Sequence, residues 1–349
     1  MAKRKLKAIS LFSGMGGLNL GLKAAGFKIC VQIDNNPYCV ETLKNNWPKV
    51  PVIDDDISTI SGKYVLQKAG LKKNEVDLIA GGPSCQPFSR SNEGKRKGTR
   101  DARGLMVFEF ERLVKELRPK AFIMENVTGL VSSNGGKDME KILWNYNRLD
   151  YHVFHRVLNA AEYGVPQKRK RLFFVGFRKK VDFVFPEKTH GTGGKLKPVV
   201  TSGEVLRDLD DGVVYDAKTE IGGKYGYLIN DIPPGMNYIY YTRKYNPKNA
   251  LFKDRSKFWT FLLKLDPEQP STTIQAQPWS SVGPFHWRNR RLTLNEIKRL
   301  QGILDNYIVS GIRGNGNEYG SPAWMQIGNA VPPKLGEVVG RQVATYLLN

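Results

Sequence analysis

The sequence has little cysteine, little histidine and few acidic side chains relative to basic ones. Its 3 cysteines among 349 residues, at positions 30, 39 and 85, do not indicate a disulfide framework and are typical of a reducing compartment. The 4 histidines include His152 and His155, which have no cysteine pair nearby, so no metal site is predicted. Basic residues number 54 against 33 acidic ones, a formal net charge of +21. This excess predicts a polyanionic partner, most often nucleic acid, although a generally basic protein is the alternative.

Long apolar runs are absent as well. No stretch approaches the ~18 apolar residues that a membrane-spanning helix requires, so none is predicted. The basic N-terminus is followed by apolar residues, as in a signal peptide, but Ser10, Ser13 and several glycines interrupt the run. We therefore predict no signal peptide and a cytoplasmic, nucleoid-associated protein, with enough apolar residues (40%) for a large core.

Strand and helix patterns alternate along the first half of the chain. Strands are predicted at 7–12, 28–34, 76–80, 120–127 and 171–177, and helices at 17–26, 37–45 and 105–117. Such alternation predicts an α/β fold with a doubly wound, mostly parallel sheet. Thr293 and Glu296 have the spacing of a capping box. A last helix at 334–347 has an apolar face that we expect to pack against the N-terminal sheet.

Residues 180–288 differ from both flanks. Glycine, proline and aromatic residues mix with lysine there, and hydrophobic periodicity is poor. We predict a first domain at 1–179, a smaller inserted domain at 180–288, and a segment at 289–349 that completes the first. Long surface loops are the alternative, but loops of this length are uncommon.

A glycine-rich turn joins the first predicted strand to the first helix. Gly14, Gly16 and Gly17 allow a ligand to approach the backbone, and Asp34 at the end of the next strand could bind ribose hydroxyls. Asn19 stands where the dinucleotide fingerprint needs glycine, which disfavours a flavin- or nicotinamide-dependent enzyme. A nucleoside cofactor without a pyrophosphate fits better, and an ordinary strand–helix turn is the alternative.

Three further features carry possible chemistry. Cys85 follows a predicted strand within a loop rich in glycine and proline, and the basic residues after it could favour its thiolate or bind phosphates. The alternative for this cysteine is a small buried hydrophobe. Glu125 ends an apolar strand, where a carboxylate needs a partner. Arg169 and Arg171 are expected on one side of a strand, because strand side chains alternate, although a solvated basic run is the alternative.

Taken together, these motifs resemble those of the DNA cytosine-5 methyltransferases, in that family's order and over almost the whole chain. They are FSGMGG (12–17), GGPSCQPFS (81–89), ENV (125–127), QKRKR (167–171), RRLTLNEIKRLQG (290–302) and QIGNAVPP (326–333). The resemblance implies a Rossmann-like S-adenosylmethionine-dependent fold in which 180–288 is the target-recognition domain. Two positions depart from the family pattern, Ser84 in place of proline and Gln32 in place of glutamate.

The resemblance also assigns roles to residues. Cys85 would be the nucleophile, Glu125 would bind the cytosine edge, and Arg169 and Arg171 would hold the base and the carboxylate. The implied S-adenosylmethionine residues are Phe12, Ser13, Gly14, Gly16, Gly17, Gln32, Ile33, Asp34, Asp56, Ile57, Pro83, Leu105, Asn329 and Ala330. The implied DNA-binding residues are Ser89, Arg90, Lys97, Arg100, Arg243 and Lys244. Gln301 and Arg291 would be structural.

The expected function is sequence-specific methyl transfer to C5 of a flipped-out cytosine in double-stranded DNA, through a covalent Cys85 intermediate. Restriction–modification or host-DNA protection is the expected setting, with a separate endonuclease as a possible partner and a monomeric enzyme. A tRNA cytosine-5 methyltransferase is the alternative, but its Cys-Phe-Thr signature is absent and no cysteine follows Cys85. An inactive regulatory homologue is disfavoured by the intact Cys85 and Glu125.

Overall fold

The computed structural model describes residues 4–83, 105–210, 220–253, 258–314 and 316–349. The chain forms two compact units. The first unit comprises Met1–Ala160, Lys170–Glu187 and Ala330–Asn349, and the second comprises Ala161–Arg169 and Lys188–Asn329. The three-part division by function that the sequence suggests stays a prediction.

A seven-stranded sheet forms the centre of the first unit, in the order β3-β2-β1-β4-β5-β8-β6. Its strands are β1 (Lys7–Leu11), β2 (Lys28–Ile33), β3 (Val52–Ile53), β4 (Leu78–Gly81), β5 (Ala121–Val127), β6 (His152–Asn159) and β8 (Lys170–Phe177). β1 to β5 pair in parallel, whereas β8 runs antiparallel to both of its neighbours. The predicted α/β fold with a mostly parallel sheet is therefore confirmed.

Helices cover the sheet because βαβ connections place them on its faces. In the first unit they are α1 (Gly17–Ala24), α2 (Pro37–Asn46), α3 (Gly62–Ala69), α4 (Met106–Leu117), α5 (Lys137–Asn147) and α9 (Pro333–Leu348). Helix α4 shows this burial: Phe110, Leu113 and Leu117 of its predicted apolar stripe are fully buried, and Met106 at its start is half-buried. No helix in the described ranges is long and apolar enough to cross a bilayer.

The last helix, α9, packs against helix α1, which corrects the expectation that it lies on the sheet. Glycines on both helices bring their backbones together. A Cβ at Gly21 of α1 would lie 2.2 Å from the Pro333 oxygen, and one at Gly340 of α9 would lie 3.0 Å from a Leu22 methyl carbon. Near its end α9 also contacts the sheet, where the Tyr346 ring lies 5.8 Å from that of Phe177 in β8.

The second unit contains little regular structure. Its described elements are β7 (Gln167–Lys168), which pairs with β9 (Ser271–Thr272), and helices α6 (Ser202–Leu206), α7 (Leu294–Gln301) and α8 (Pro322–Asn329). The predicted capping box is present at the start of α7. Aromatic packing forms part of its core: the ring of Phe261 lies within about 6 Å of those of Tyr225, Tyr238 and Phe252.

Candidate active site

The carboxyl ends of the parallel strands meet at one edge of the sheet. Leu11 of β1 pairs with Gly81 of β4, and Gly81 pairs with Met124 of β5. The glycine-rich turn that follows β1 and the carboxyl-terminal part of β5, which contains Glu125, therefore lie at the same edge of the sheet. In open α/β sheets this edge is where ligands bind.

The turn after β1 requires unusual backbone conformations. Phe12, Gly14 and Gly16 have φ angles of 49°, 53° and 90°. The Gly14 amide donates a 2.7 Å hydrogen bond to Oδ2 of Asp34, which follows β2. Burial raises the pKa of Asp34, while hydrogen bonds from the backbone amides of Asn36 and Gly14 oppose that shift. The aspartate thus fixes the shape of the turn at the sheet edge.

A buried polar network lies beneath this turn. The Gln32 side chain has no exposed surface, and its Oε1 accepts a 2.8 Å hydrogen bond from Asn19. Asn19 in turn accepts from the Ser10 hydroxyl at 2.6 Å, and the hydroxyls of Ser10 and Ser13 lie 2.8 Å apart. The Ile33 amide donates to the Ser13 hydroxyl. The structure therefore places Gln32 and Ser13 in the support of the turn. Sequence reasoning considered Asn19 only as a missing glycine and did not identify this role.

The remaining residues that the resemblance assigned to the cofactor lie in several other parts of the chain. Asp56 is exposed, and hydrogen bonds from the Ser58 hydroxyl and amide lower its pKa. Ile57 is buried and Leu105 is exposed. The other three lie as follows: Pro83 comes directly after β4, Ala330 lies beside Gly17 in the first unit, and Asn329 ends α8 in the second unit.

Glu125 forms an ion pair with Arg171 from the antiparallel neighbour β8. Arg171 Nε lies 2.9 Å from Glu125 Oε1, and the two side chains are only 14% and 11% exposed. On the other side, a Cβ at position 82 would lie 2.9 Å from Glu125 Oε2, so a larger residue there would displace the carboxylate. Asn126 donates a hydrogen bond to the Pro83 carbonyl oxygen at 3.2 Å. The carboxylate is thus fixed next to the chain that leads to Cys85.

Arg169 does not share the environment of Arg171. It is only 1% exposed, belongs to the second unit, and donates to the carbonyl oxygens of Ile274 and Gly328. The strand alternation from which both arginines were predicted on one side is interrupted, because the chain leaves β7 at Lys168 and enters a different sheet at Lys170. Strand alternation does not continue across such a break.

Several predicted site residues lie outside the described part of the chain: Cys85, Ser89, Arg90, Lys97 and Arg100. Arg243 and Lys244 are described and are exposed in the second unit. The Lys244 ammonium lies 5.3 Å from the centre of the Tyr245 ring. Within the described ranges, no group of three histidine, cysteine or carboxylate side chains could hold a metal ion.

The sheet edge suits a nucleoside that carries a charged tail. Gly14 has open space where a Cβ would stand, so a ligand can reach the backbone of the turn. The aromatic side chain of Phe12, the apolar side chain of Ile57, and the carboxylates of Asp34 and Asp56 provide both apolar surface and acceptors for hydroxyl or ammonium groups. The residues present therefore fit S-adenosylmethionine.

Comparison with known proteins agrees with this geometry. Residues 6–345 match the model of the C-5 cytosine-specific DNA methylase family. The chain belongs to this family. It is 37% identical to the Type II methyltransferase M.SacI of Streptomyces achromogenes, over 98% of this chain and 94% of that protein. It is 33% identical to M.NgoPII of Neisseria gonorrhoeae, over 98% and 96% respectively.

A solved structure is similar over its whole length. A chain assigned as a prophage DNA modification methyltransferase of E. coli superposes with a TM-score of 0.68 at 25% identity, covering 99% of this chain and 100% of that one. This C-5 cytosine-specific DNA methylase therefore has the S-adenosylmethionine-dependent fold and uses that methyl donor. The tRNA alternative is not supported, since the family acts on DNA.

Proposed function

We propose that the chain methylates one cytosine within a specific duplex sequence, as the modification enzyme of a Type II restriction–modification system. The main support for this site is the ion pair between Glu125 and Arg171. It lies beside Gly82, and Gly82 precedes Cys85 by three residues in the sequence. Relatives that cover the chain almost completely are named Type II methyltransferases. The target cytosine is inaccessible within a duplex and must be flipped out to reach these groups.

In this mechanism each side chain has a distinct task. The Cys85 thiolate adds to C6 of the flipped cytosine, forming a C–S bond and moving an electron pair into the ring. In its protonated form Glu125 donates its proton to N3 as that negative charge develops, its other oxygen accepts a hydrogen bond from the exocyclic amine, and Arg171 keeps the carboxyl group in place. S-adenosylmethionine, when bound, supplies an electrophilic methyl group to C5. When C5 then loses its proton, the C5–H electron pair re-forms the C5–C6 double bond, and Cys85 leaves as the thiolate with the C–S electron pair.

The other assignments belong to the same proposal. Phe12, Gly14, Gly16, Asp34, Asp56 and Ile57 would bind the cofactor, and Gln32 would support their turn. Arg169 would position the second unit's chain rather than touch the base, since carbonyl oxygens hold its guanidinium. The segment 180–288, with Arg243 and Lys244, would contact the DNA. We further propose a monomer that acts in the cytoplasm on chromosomal DNA, with a separate endonuclease as its partner.

The test is methyl transfer from radiolabelled S-adenosylmethionine to duplex DNA, with tRNA in parallel. Wild-type protein should produce 5-methylcytosine in DNA, and Cys85→Ala should produce none. Cys39→Ala is the matched control, because Cys39 is buried in α2. Label confined to tRNA, or full activity of Cys85→Ala, would contradict the proposal. No label despite normal cofactor binding would indicate the inactive regulatory homologue.

A further inference from the structure

Three arginines close together in the second unit have different partners. Arg288 is bonded to Asp210, and Arg290 forms two hydrogen bonds with Glu296 at 2.9 and 2.8 Å. Arg291 is different. Its Nε atom is buried without a hydrogen-bond acceptor, and within the described ranges no carboxylate forms an ion pair with it. Burial lowers the pKa of Arg291, so the fold holds a cation there at a cost.

The Arg291 guanidinium lies on an aromatic platform. Its Cζ atom is 4.4 Å from the centre of the Tyr319 ring. Tyr319 is 8% exposed, its hydroxyl lies 2.9 Å from the Trp279 carbonyl oxygen and 2.8 Å from that of Val282, and its ring packs on Trp324. Because the platform is held in this way, the orientation of the guanidinium plane is restricted before any ligand binds.

The same tyrosine anchors a turn that presents a bare aromatic side chain. Trp279 is 80% exposed, the most exposed of the large hydrophobic residues in the described part of the chain. The backbone of its turn is nevertheless well anchored, since the Val282 amide donates to the Trp279 carbonyl oxygen at 2.9 Å. An exposed indole on a firmly held turn is a common feature of binding surfaces.

Two glycines lie close to this arginine and to a pair of serines. A Cβ at Gly222 would lie 3.4 Å from Arg291 Nη2, and one at Gly223, which has a φ of 93°, would lie within 2.9 Å of the Ser280 and Ser281 hydroxyl oxygens. The Ser281 hydroxyl donates to the Gly222 carbonyl oxygen. Segments that are distant in sequence therefore meet beside Arg291, which has no ion-pair partner within the described ranges, although the charge of Glu220 acts on it.

We propose that Arg291 is a specificity-determining residue that reads a guanine edge in the target sequence, with Trp279 packing against the adjacent DNA. This inference rests on the function proposed above. It adds a base contact outside the segment 180–288 and assigns recognition to an arginine that sequence reasoning considered structural. A planar guanidinium with both terminal nitrogens available matches the O6 and N7 acceptors of guanine.

Phosphate binding is the competing role for a cation at this place. Phosphates are commonly met by exposed, flexible side chains, whereas Arg291 is half-buried and stacked in one orientation. Fixed orientation is what discrimination between bases requires. The geometry therefore favours base reading.

The experiment is methylation of a randomised duplex library by the full-length chain, followed by bisulfite sequencing. Wild-type protein defines the target site. Arg291→Gln should lose about tenfold to 100-fold discrimination at one guanine position and keep the preference elsewhere. Arg291→Lys, which keeps the charge but not the planar fork, should relax the same position. Arg288→Gln is the matched control and should keep the wild-type preference.

Two results would overturn this inference while leaving the proposed function intact. In the first, the Arg291→Gln variant methylates all sequences more slowly by the same factor, and its activity depends less on salt concentration. That result would indicate that Arg291 contacts a phosphate. The other is unchanged preference in both Arg291 variants. If thermal unfolding shows that the Arg291→Gln variant is not folded, the same comparison is made with Arg291→Lys alone. A wild-type protein that leaves DNA unmethylated overturns the proposed function, and this inference with it.

Discussion

Replacing Glu125 with glutamine separates two roles of the Glu125–Arg171 pair, because the variant keeps the shape of the side chain and removes its charge. A charge-assisted hydrogen bond contributes about 1.5–3 kcal/mol and a neutral one about 0.5–1.5 kcal/mol. Arg171 Nε, 2.9 Å from Oε1 in the native pair, would keep a neutral acceptor. We therefore expect the free energy of unfolding to fall by about 1–2 kcal/mol.

The effect on the reaction should be much larger than the effect on stability. If Glu125 donates a proton to N3 while negative charge develops in the cytosine ring, glutamine, which has no such proton to transfer, should lower kcat by roughly 100-fold to 1000-fold. The assay is single-turnover methyl transfer to duplex DNA, with urea unfolding of the same preparations. Glu337→Gln is the matched control, since Glu337 bonds Lys334 and Arg341 on α9 and is 18% exposed. It should lose similar stability and keep the wild-type rate.

One result would refute this reasoning. If Glu125→Gln keeps a rate within about tenfold of wild type, which is about 1.4 kcal/mol of activation free energy, the carboxylate does not stabilise the transition state. Arg171→Gln and the double variant complete the cycle. If Arg171 acts through Glu125, the double variant should be little slower than Glu125→Gln alone.

Three further predictions concern the turn, a buried histidine and a helix contact. Asp34→Ala removes the acceptor that shapes the glycine-rich turn, so calorimetry should show cofactor binding weaker by about tenfold to 150-fold; unchanged affinity would contradict this. Burial lowers the pKa of His286 to about 4, from an ordinary histidine pKa of about 6.5. Between these two pH values only the unfolded chain takes up the proton. The free energy of unfolding of the wild type, measured in urea, should therefore fall as the pH drops from about 6.5 towards 4. His286→Asn should flatten that dependence, and an equally steep curve would count against it. Gly21→Val should cost about 1–3 kcal/mol of unfolding free energy, because a Cβ there would lie 2.2 Å from a backbone oxygen of α9. Lys23→Val on the exposed side of α1 is the control, and equal losses would argue against close helix packing.

The strands of the first unit were predictable where both faces are buried. β1, β4 and β5 are continuous apolar segments, and their side chains are almost entirely buried. The edge strand β6 was missed because most of its side chains are exposed or half-buried, so polar residues such as Arg156 interrupt the apolar pattern.

The candidate site shows where local patterns reach their limit. The order of the motifs was enough to identify Glu125 and Arg171. Their ion pair forms between two adjacent strands, β5 and β8. Arg169 is held by carbonyl groups that lie more than 100 residues away in the sequence. Gln32 is held by Asn19, which lies on helix α1. Arg291 gave no local signal, because the absence of an acidic partner is visible only when the surrounding chain is in place.

The central claim is that Cys85 attacks C6 of a cytosine in duplex DNA, and an adduct experiment tests it most directly. Duplex DNA with 5-fluorocytosine at the target cannot lose a proton from C5, so the elimination that releases the cysteine is blocked. With S-adenosylmethionine present, wild-type protein should form a denaturation-resistant complex that mass spectrometry maps to Cys85, and Cys85→Ala should form none. A wild-type protein that makes 5-methylcytosine but never forms this adduct, or an adduct mapped to another residue, would contradict the account.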